Sequence, residues 1–231
     1  MQELNYGKEL ASVGVEPRRL ALLYGPPGTG KTTLARHLAA RRGVPLVAVQ
    51  SERLIDAYMG SSARNVAALF DCLKELNDQV VLLLDEFDAL ASKREDRGSL
   101  DRERAHVLTV LLQKVEAFKG IGLAATNRKE IIDPAMWRRF GMQIAIGLPK
   151  EEQRFAILKK YAMPFDLEDE AFDVLVDATR GCSPSLLRQL MEGMKRVLVL
   201  APKLKITLPF HPACGESGSQ PLLGSCSTAM S

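Results

Sequence analysis

The chain has 231 residues, of which 46% are hydrophobic and 26% charged, and its formal net charge is +3. That is enough apolar material for the core of one large domain, or of one large and one small, in a globular protein. So small a charge excludes a strong electrostatic case for nucleic acid, since Arg41-Arg42, Arg138-Arg139 and Lys159-Lys160 are isolated pairs; the longest uniformly apolar runs are too short to span a bilayer, which argues against a membrane partner.

Met1–Leu10 lacks the continuous apolar core of a secretory leader. In chain order, the first apolar run, Leu20-Ala21-Leu22-Leu23-Tyr24, reads as a buried strand. Gly25-Pro26-Pro27-Gly28-Thr29-Gly30-Lys31-Thr32 follows it and fits G-x-x-x-x-G-K-[ST] at every fixed position, before a helical stretch, Thr33–Ala40. Glycines there let successive backbone N–H groups turn inward as an anion nest, and the helix N-terminus adds its positive dipole end. Pro27, Gly28, Thr29, Gly30, Lys31, Thr32 and Thr33 are therefore the candidate nucleotide-binding residues. Lys31 would reach the β- and γ-phosphates of ATP, and the Thr32 hydroxyl would hold Mg²⁺.

Leu46–Val49 is a short β-rich run, and Leu54–Leu76 reads as mostly helical with Val66, Leu69, Phe70 and Leu73 on one face. Val80-Val81-Leu82-Leu83-Leu84 is unalternating, as suits a central strand of a parallel sheet covered on both faces, and it ends in Asp85-Glu86. Ser92–Arg104 is expected as a loop leading into a helix over Ala105–Phe118, followed by strands at Ile121–Thr126 and near Ile144-Ala145-Ile146. Alternating strands and helices predict a doubly wound α/β domain over residues 1–149. From residue 150 to 203 the period turns helical throughout, with stripes at Phe155, Leu158 and Tyr161, at Phe172, Leu175 and Val176, and at Leu187, Leu190, Met191, Met194 and Leu198. This predicts a small all-helical second domain. Residues 204–231, rich in Ser, Gly, Pro and Cys without periodicity, are expected to be a disordered tail. Cys72, Cys182, Cys214 and Cys226 form no CxxC pair, which points to reduced thiols in the cytoplasm; the three histidines lack metal-ligand spacing.

Ligands of an open parallel sheet collect at the carboxyl ends of its strands. Asp85 there can hold Mg²⁺ and Glu86 can polarise an attacking water, while Asn127, ending the Ala124-Ala125-Thr126 strand, can orient the same water. This set favours ATP hydrolysis over a nucleotide-dependent scaffold.

Four segments together resemble AAA ATPases: Gly25–Thr32, Leu82–Leu90, Ala124–Arg128, and Ile132-Asp133-Pro134-Ala135-Met136-Trp137-Arg138-Arg139-Phe140. The resemblance covers about residues 8 to 200. It implies a P-loop NTPase fold with a helical lid, ATP and Mg²⁺ as ligands, and a homohexameric ring. It also implies that Arg138 or Arg139, Arg139 being favoured because it aligns with the family's Arg-Phe pair, reaches a neighbouring subunit's ATP. Tyr58-Met59-Gly60 lies where protein-remodelling members carry a pore loop that grips an extended polypeptide. The turn Gly181–Leu187 resembles the family's Gly-x-Ser-Gly-Ala-Asp-Leu, with proline and serine replacing glycine and alanine; Arg188 after it is either a second sensor or an exposed helix arginine. The implied function is ATP-driven remodelling or threading of a protein substrate, and the alternative is an AAA+ factor acting on DNA.

Overall fold

A computed structural model of the chain describes residues 2–54, 61–76, 79–91, 99–132, 134–165, 167–201 and 203–204. It divides into two units, one running through Glu192 and one from Gly193 onward.

Two short helices, α1 (Gln2–Asn5) and α2 (Gly7–Ser12), precede β1 (Leu20–Tyr24), α3 (Lys31–Arg42) and β2 (Leu46–Gln50). There follow α4 (Ser61–Lys74), β3 (Val81–Asp85), α5 (Asp88–Ala91), α6 (Ser99–Ala117) and β4 (Ile121–Thr126). Then come α7 (Pro134–Trp137), β5 (Met142–Ala145), α8 (Glu151–Ala162), α9 (Asp169–Ala178) and α10 (Pro184–Leu200). All the strand pairings are parallel, in the spatial order β2-β3-β4-β1-β5.

Strand side chains alternate between the two faces, and in the central strands β1, β3 and β4 both faces are buried. Leu22, Leu82, Leu84 and Ala124 point into one core, which Val66, Phe70 and Leu73 of α4 and Val107, Leu111 and Val115 of α6 complete. Ala21, Leu23, Val81, Leu83, Leu123 and Ala125 point into the other, against Ala35 and Ala39 of α3. Double burial explains why these runs are apolar without alternation. The expected parallel α/β sheet flanked by helices is therefore present. Beyond it, Leu158 of α8, Phe172 and Val176 of α9, and Leu187 and Met191 of α10 are buried, as their helical stripes require.

Three expected boundaries are corrected. Helix α6 begins at Ser99 and not at Ala105, because Asp101-Arg102-Glu103-Arg104 contains good helix formers that a charged segment can carry without an apolar face. The last strand is Met142–Ala145, displaced from Ile144–Ile146, because its register against β1 pairs Ala21 with Met142 and Tyr24 with Ala145. The stretch expected as mostly helical from Leu54 opens on the last residue of a 3-10 turn, Ser51–Leu54, and holds α4 at Ser61–Lys74; residues 55–60 between them lie outside the described residues. Residues 205–231 of the expected tail lie outside the described residues. Among the described residues no helix is long and apolar enough to cross a membrane.

Candidate active site

The phosphate loop runs from the end of β1 to the start of α3. Two of its glycines are required by space as well as by backbone geometry. Gly25 has φ +148 and a Cβ there would collide with the Ile146 carbonyl; Gly28 has φ +74 and a Cβ there would collide with the Ser185 hydroxyl. The loop is stitched from within by the Thr29 hydroxyl, which donates to the Pro26 carbonyl at 2.9 Å. Lys31 is only 7% exposed. Its Nζ donates to the carbonyls of Gly25 and Pro26, at 2.8 Å each. Burial pushes the ammonium's pKa below its ordinary 10.5, opposed by attraction from Asp85 and Asp88.

The parallel order places the end of β3 across from the loop. The Thr32 hydroxyl donates to Asp85 Oδ2 at 2.7 Å, and the Glu86 amide donates to Asp85 Oδ1 at 3.1 Å. These two hard oxygens are donors of the kind that would hold Mg²⁺, and the hydrogen bond between them keeps them together at the cavity. Glu86 itself is exposed and has φ +53, the one non-glycine residue with positive φ among those described. On the next strand, Thr126 is buried; its hydroxyl donates to Asp88 Oδ1 at 3.0 Å and accepts from the Arg128 amide at 3.0 Å. That pair of bonds fixes both neighbours of the exposed Asn127.

A cavity of about 630 Å³ collects Pro27, Gly28, Thr29, Gly30, Lys31, Thr32, Thr33, Asp85, Glu86 and Asn127 in one place. It also has walls of which the sequence offered only Arg188, as one of two alternatives. His37, Ile157, Lys160, Tyr161, Ser185 and Arg188 line it too, so α8 and the start of α10 form the side opposite the loop. The Ser185 amide donates to the Gly28 carbonyl at 3.2 Å, which docks the Gly181–Leu187 turn directly on the phosphate loop. The Arg188 guanidinium lies over the Tyr161 ring, 5.8 Å from its centroid, and donates to Glu192 at 2.7 Å. Ile157 and Lys160 flank the helical stripe that contains Tyr161, and Arg188 adjoins the stripe of α10, but nothing local shows which side meets the loop.

Arg138 and Arg139 lie elsewhere. Arg138 is exposed and lines a separate hollow of about 380 Å³ with Lys129, Glu130 and Trp137. Arg139 is exposed and paired with Glu116 of α6. Tyr58, Met59 and Gly60 lie outside the described residues.

A phosphate loop between β1 and α3 and a carboxylate pair ending β3, on a parallel sheet of this order, define a P-loop nucleoside triphosphatase fold. Residues 21–148 match the ATPase family associated with various cellular activities (AAA), and the chain belongs to that family. It is similar to the proteasome-activating nucleotidase of Methanopyrus kandleri, with 40% identity over 74% of this chain and 41% of the relative. It is similar as well to the 26S proteasome regulatory subunit 10B homolog A of Arabidopsis thaliana, with 37% identity over 77% of this chain and 46% of that one. The ATPase family gene 2 protein of Schizosaccharomyces pombe shares 36% identity over 78% of this chain and 22% of its own length. The chain thus spans less than half the length of each of these relatives. Among solved structures, the crystal structure of the FIGL-1 AAA domain in complex with ADP superimposes with a TM-score of 0.65, at 27% identity, over 82% of this chain and 63% of that one.

Proposed function

We propose that this chain is an Mg²⁺-dependent ATP hydrolase that works in a homohexameric ring to remodel or thread a protein substrate, with residues 1–149 as its α/β body and the helices from residue 150 as its lid. The observation that carries the ATPase reading is the convergence of Lys31, Thr32, Asp85, Glu86 and Asn127 on one cavity. In this reading the loop amides and Lys31 bind the phosphates, and Thr32 and Asp85 hold the metal. Mg²⁺, when bound, neutralises charge on the β- and γ-phosphate oxygens. Glu86 orients and deprotonates the attacking water beside Asn127, and it is free to do so because its carboxylate is exposed at the cavity wall.

Arg138 and Arg139 are outside their own chain's cavity, and that separation supports a role in a neighbour's site, with Arg139 as the finger. Such an arginine is worth roughly 10³–10⁵ in rate, so turnover would depend on assembly. The names of the proteasomal relatives favour a protein substrate over DNA, and Tyr58-Met59-Gly60 is the proposed gripping loop. Cytoplasmic placement is supported by Cys72 and Cys182, which are free thiols among the described residues.

The deciding experiment uses Glu86→Gln with ATP and Mg²⁺. The variant should bind ATP as tightly as the parent, hydrolyse it at least a hundredfold more slowly, and appear by particle imaging as closed rings. Normal turnover would sink the assignment of the base, and open monomers at saturating ATP would sink the ring.

A further inference from the structure

Glu86 and Arg139 serve different sites in the proposed reading, yet their next residues in sequence touch each other. Phe87 and Phe140 form an edge-to-face pair, with centroids 5.5 Å apart and planes at 85°. Both are fully enclosed, at 0% and 3% exposure, within the core under β3 and β4. Around Phe87 the backbone is tightly specified. Its amide donates to the Ala125 carbonyl of β4 at 2.8 Å, and the Ala89 amide donates to the Glu86 carbonyl at 3.0 Å. Between these two bonds sits Glu86 in the left-handed region, a backbone state that a residue with a side chain keeps only where its surroundings over-determine it. Around Phe140, the Gln143 side-chain amide donates to the carbonyls of Trp137 and Phe140, at 3.0 and 3.3 Å, and the Arg139 amide donates to the Met136 carbonyl at 3.1 Å. Arg139 is then, with Arg138, an exposed residue of a turn whose buried anchor is Phe140.

We propose that Phe87 and Phe140 are positioning residues that act as one unit: their ring contact holds Glu86 in its left-handed state and seats the turn that displays Arg139. The base of one site and the arginine offered to the next are thereby set by a single buried contact. Two features make a ring pair suited to this. An edge-to-face contact has a preferred geometry that aliphatic packing lacks, and a close-packed core transmits a displacement of one ring to the other without absorbing it. A change in the Glu86 backbone re-orients the Phe87 side chain that follows it, and the Phe140 ring is packed against that side chain. The inference rests on Glu86 as base and Arg139 as finger.

The test is kinetic, on the full chain in its assembled state, using Phe87→Leu, Phe140→Leu and the double variant. Leucine keeps the core apolar and removes the ring edge. Each single variant should leave ATP affinity and KM unchanged and lower kcat by about tenfold to a hundredfold, the size of effect that a small misplacement of catalytic groups produces. The double variant should fall no further than the worse single one, as expected for residues acting as a unit. Singles whose losses multiply in the double variant, or singles with parental kcat, overturn the proposal. Should Phe140→Leu fail to fold, as judged by its thermal transition, Phe140→Met keeps the volume and takes its place.

A mixing experiment separates this inference from the reading beneath it. Each variant is diluted into an excess of Glu86→Gln subunits, which are inert but present an intact Arg139; parental subunits diluted the same way give the reference. Phe140→Leu should stay slow there, because the lesion reaches its own Glu86, and full recovery overturns the link to the base. Arg139→Ala should recover there. If it does not, and specific activity is also flat with protein concentration, the arginine assignment fails while the Phe87–Phe140 coupling to Glu86 is still judged by the single and double variants.

Discussion

Lys31 is a cation the fold has buried beside the backbone carbonyls of its own loop, within the field of Asp85 and Asp88. Burial lowers its pKa below 10.5, so over the alkaline window beneath that value the unfolded chain holds more protons than the folded one. Stability should therefore rise with pH through that window as far as this group is concerned. A polyphosphate arriving at the loop reverses the balance and draws a proton back on to Lys31. Calorimetry of ATP binding in two buffers of different ionisation enthalpy, at a pH just under 10.5, should accordingly report net proton uptake. Proton-neutral binding across that range would remove Lys31 from the phosphates. Of the residues in this cavity, those with fixed spacing were legible in the sequence: the loop, Asp85-Glu86 and Asn127. Lys160, Tyr161 and Ser185 were not, because their presence depends on where α8 and α10 lie in space; His37 was not, because nothing in its spacing on α3 marks the face that turns to the cavity.

At the level of elements, the strands were readable because burial on both faces leaves an unbroken apolar run, as at Val81–Leu84. The start of α6 was not, since a charged segment is compatible with loop and helix alike. Arg154 shows a further limit. In sequence it is one more basic residue on α8, yet it is 7% exposed and its guanidinium donates to the Val176 carbonyl, at 3.3 and 3.2 Å, and to Pro149 at 3.4 Å. These bonds tie α8 to the C-terminal end of α9, where a cation also complements the helix dipole. Arg154→Met keeps the aliphatic bulk but removes the guanidinium's bonds to both carbonyls, leaving that of Val176 with the Thr179 hydroxyl alone, at 3.3 Å. It should cost about 1–3 kcal/mol and lower the thermal midpoint by about 2–4 °C for each of those. Because Ile157, Lys160 and Tyr161 on the same helix line the cavity, KM for ATP should rise as well. A variant with an unchanged midpoint would show that the carbonyls find other donors.

For the whole molecule, the proposed division of labour puts chemistry at the sheet's carboxyl edge and work on substrate at Tyr58-Met59-Gly60. Tyr58→Ala should keep much of the ATPase rate and lose unfolding of a protein substrate, followed as loss of a folded reporter's fluorescence. Unimpaired unfolding by that variant would remove the gripping loop from the mechanism. The strand order carries a consequence of another kind, in time. Leu20 pairs with Gly122 and Ala21 with Met142, so the strand that ends in the phosphate loop waits for partners about a hundred residues downstream. At synthesis rates of about 5–20 residues per second, that wait is about 5–20 s. Throughout it, β1 has neither neighbour and the loop has no floor. The emerging chain therefore spends its first seconds blind to nucleotide, and acquires its ligand only as its sheet closes.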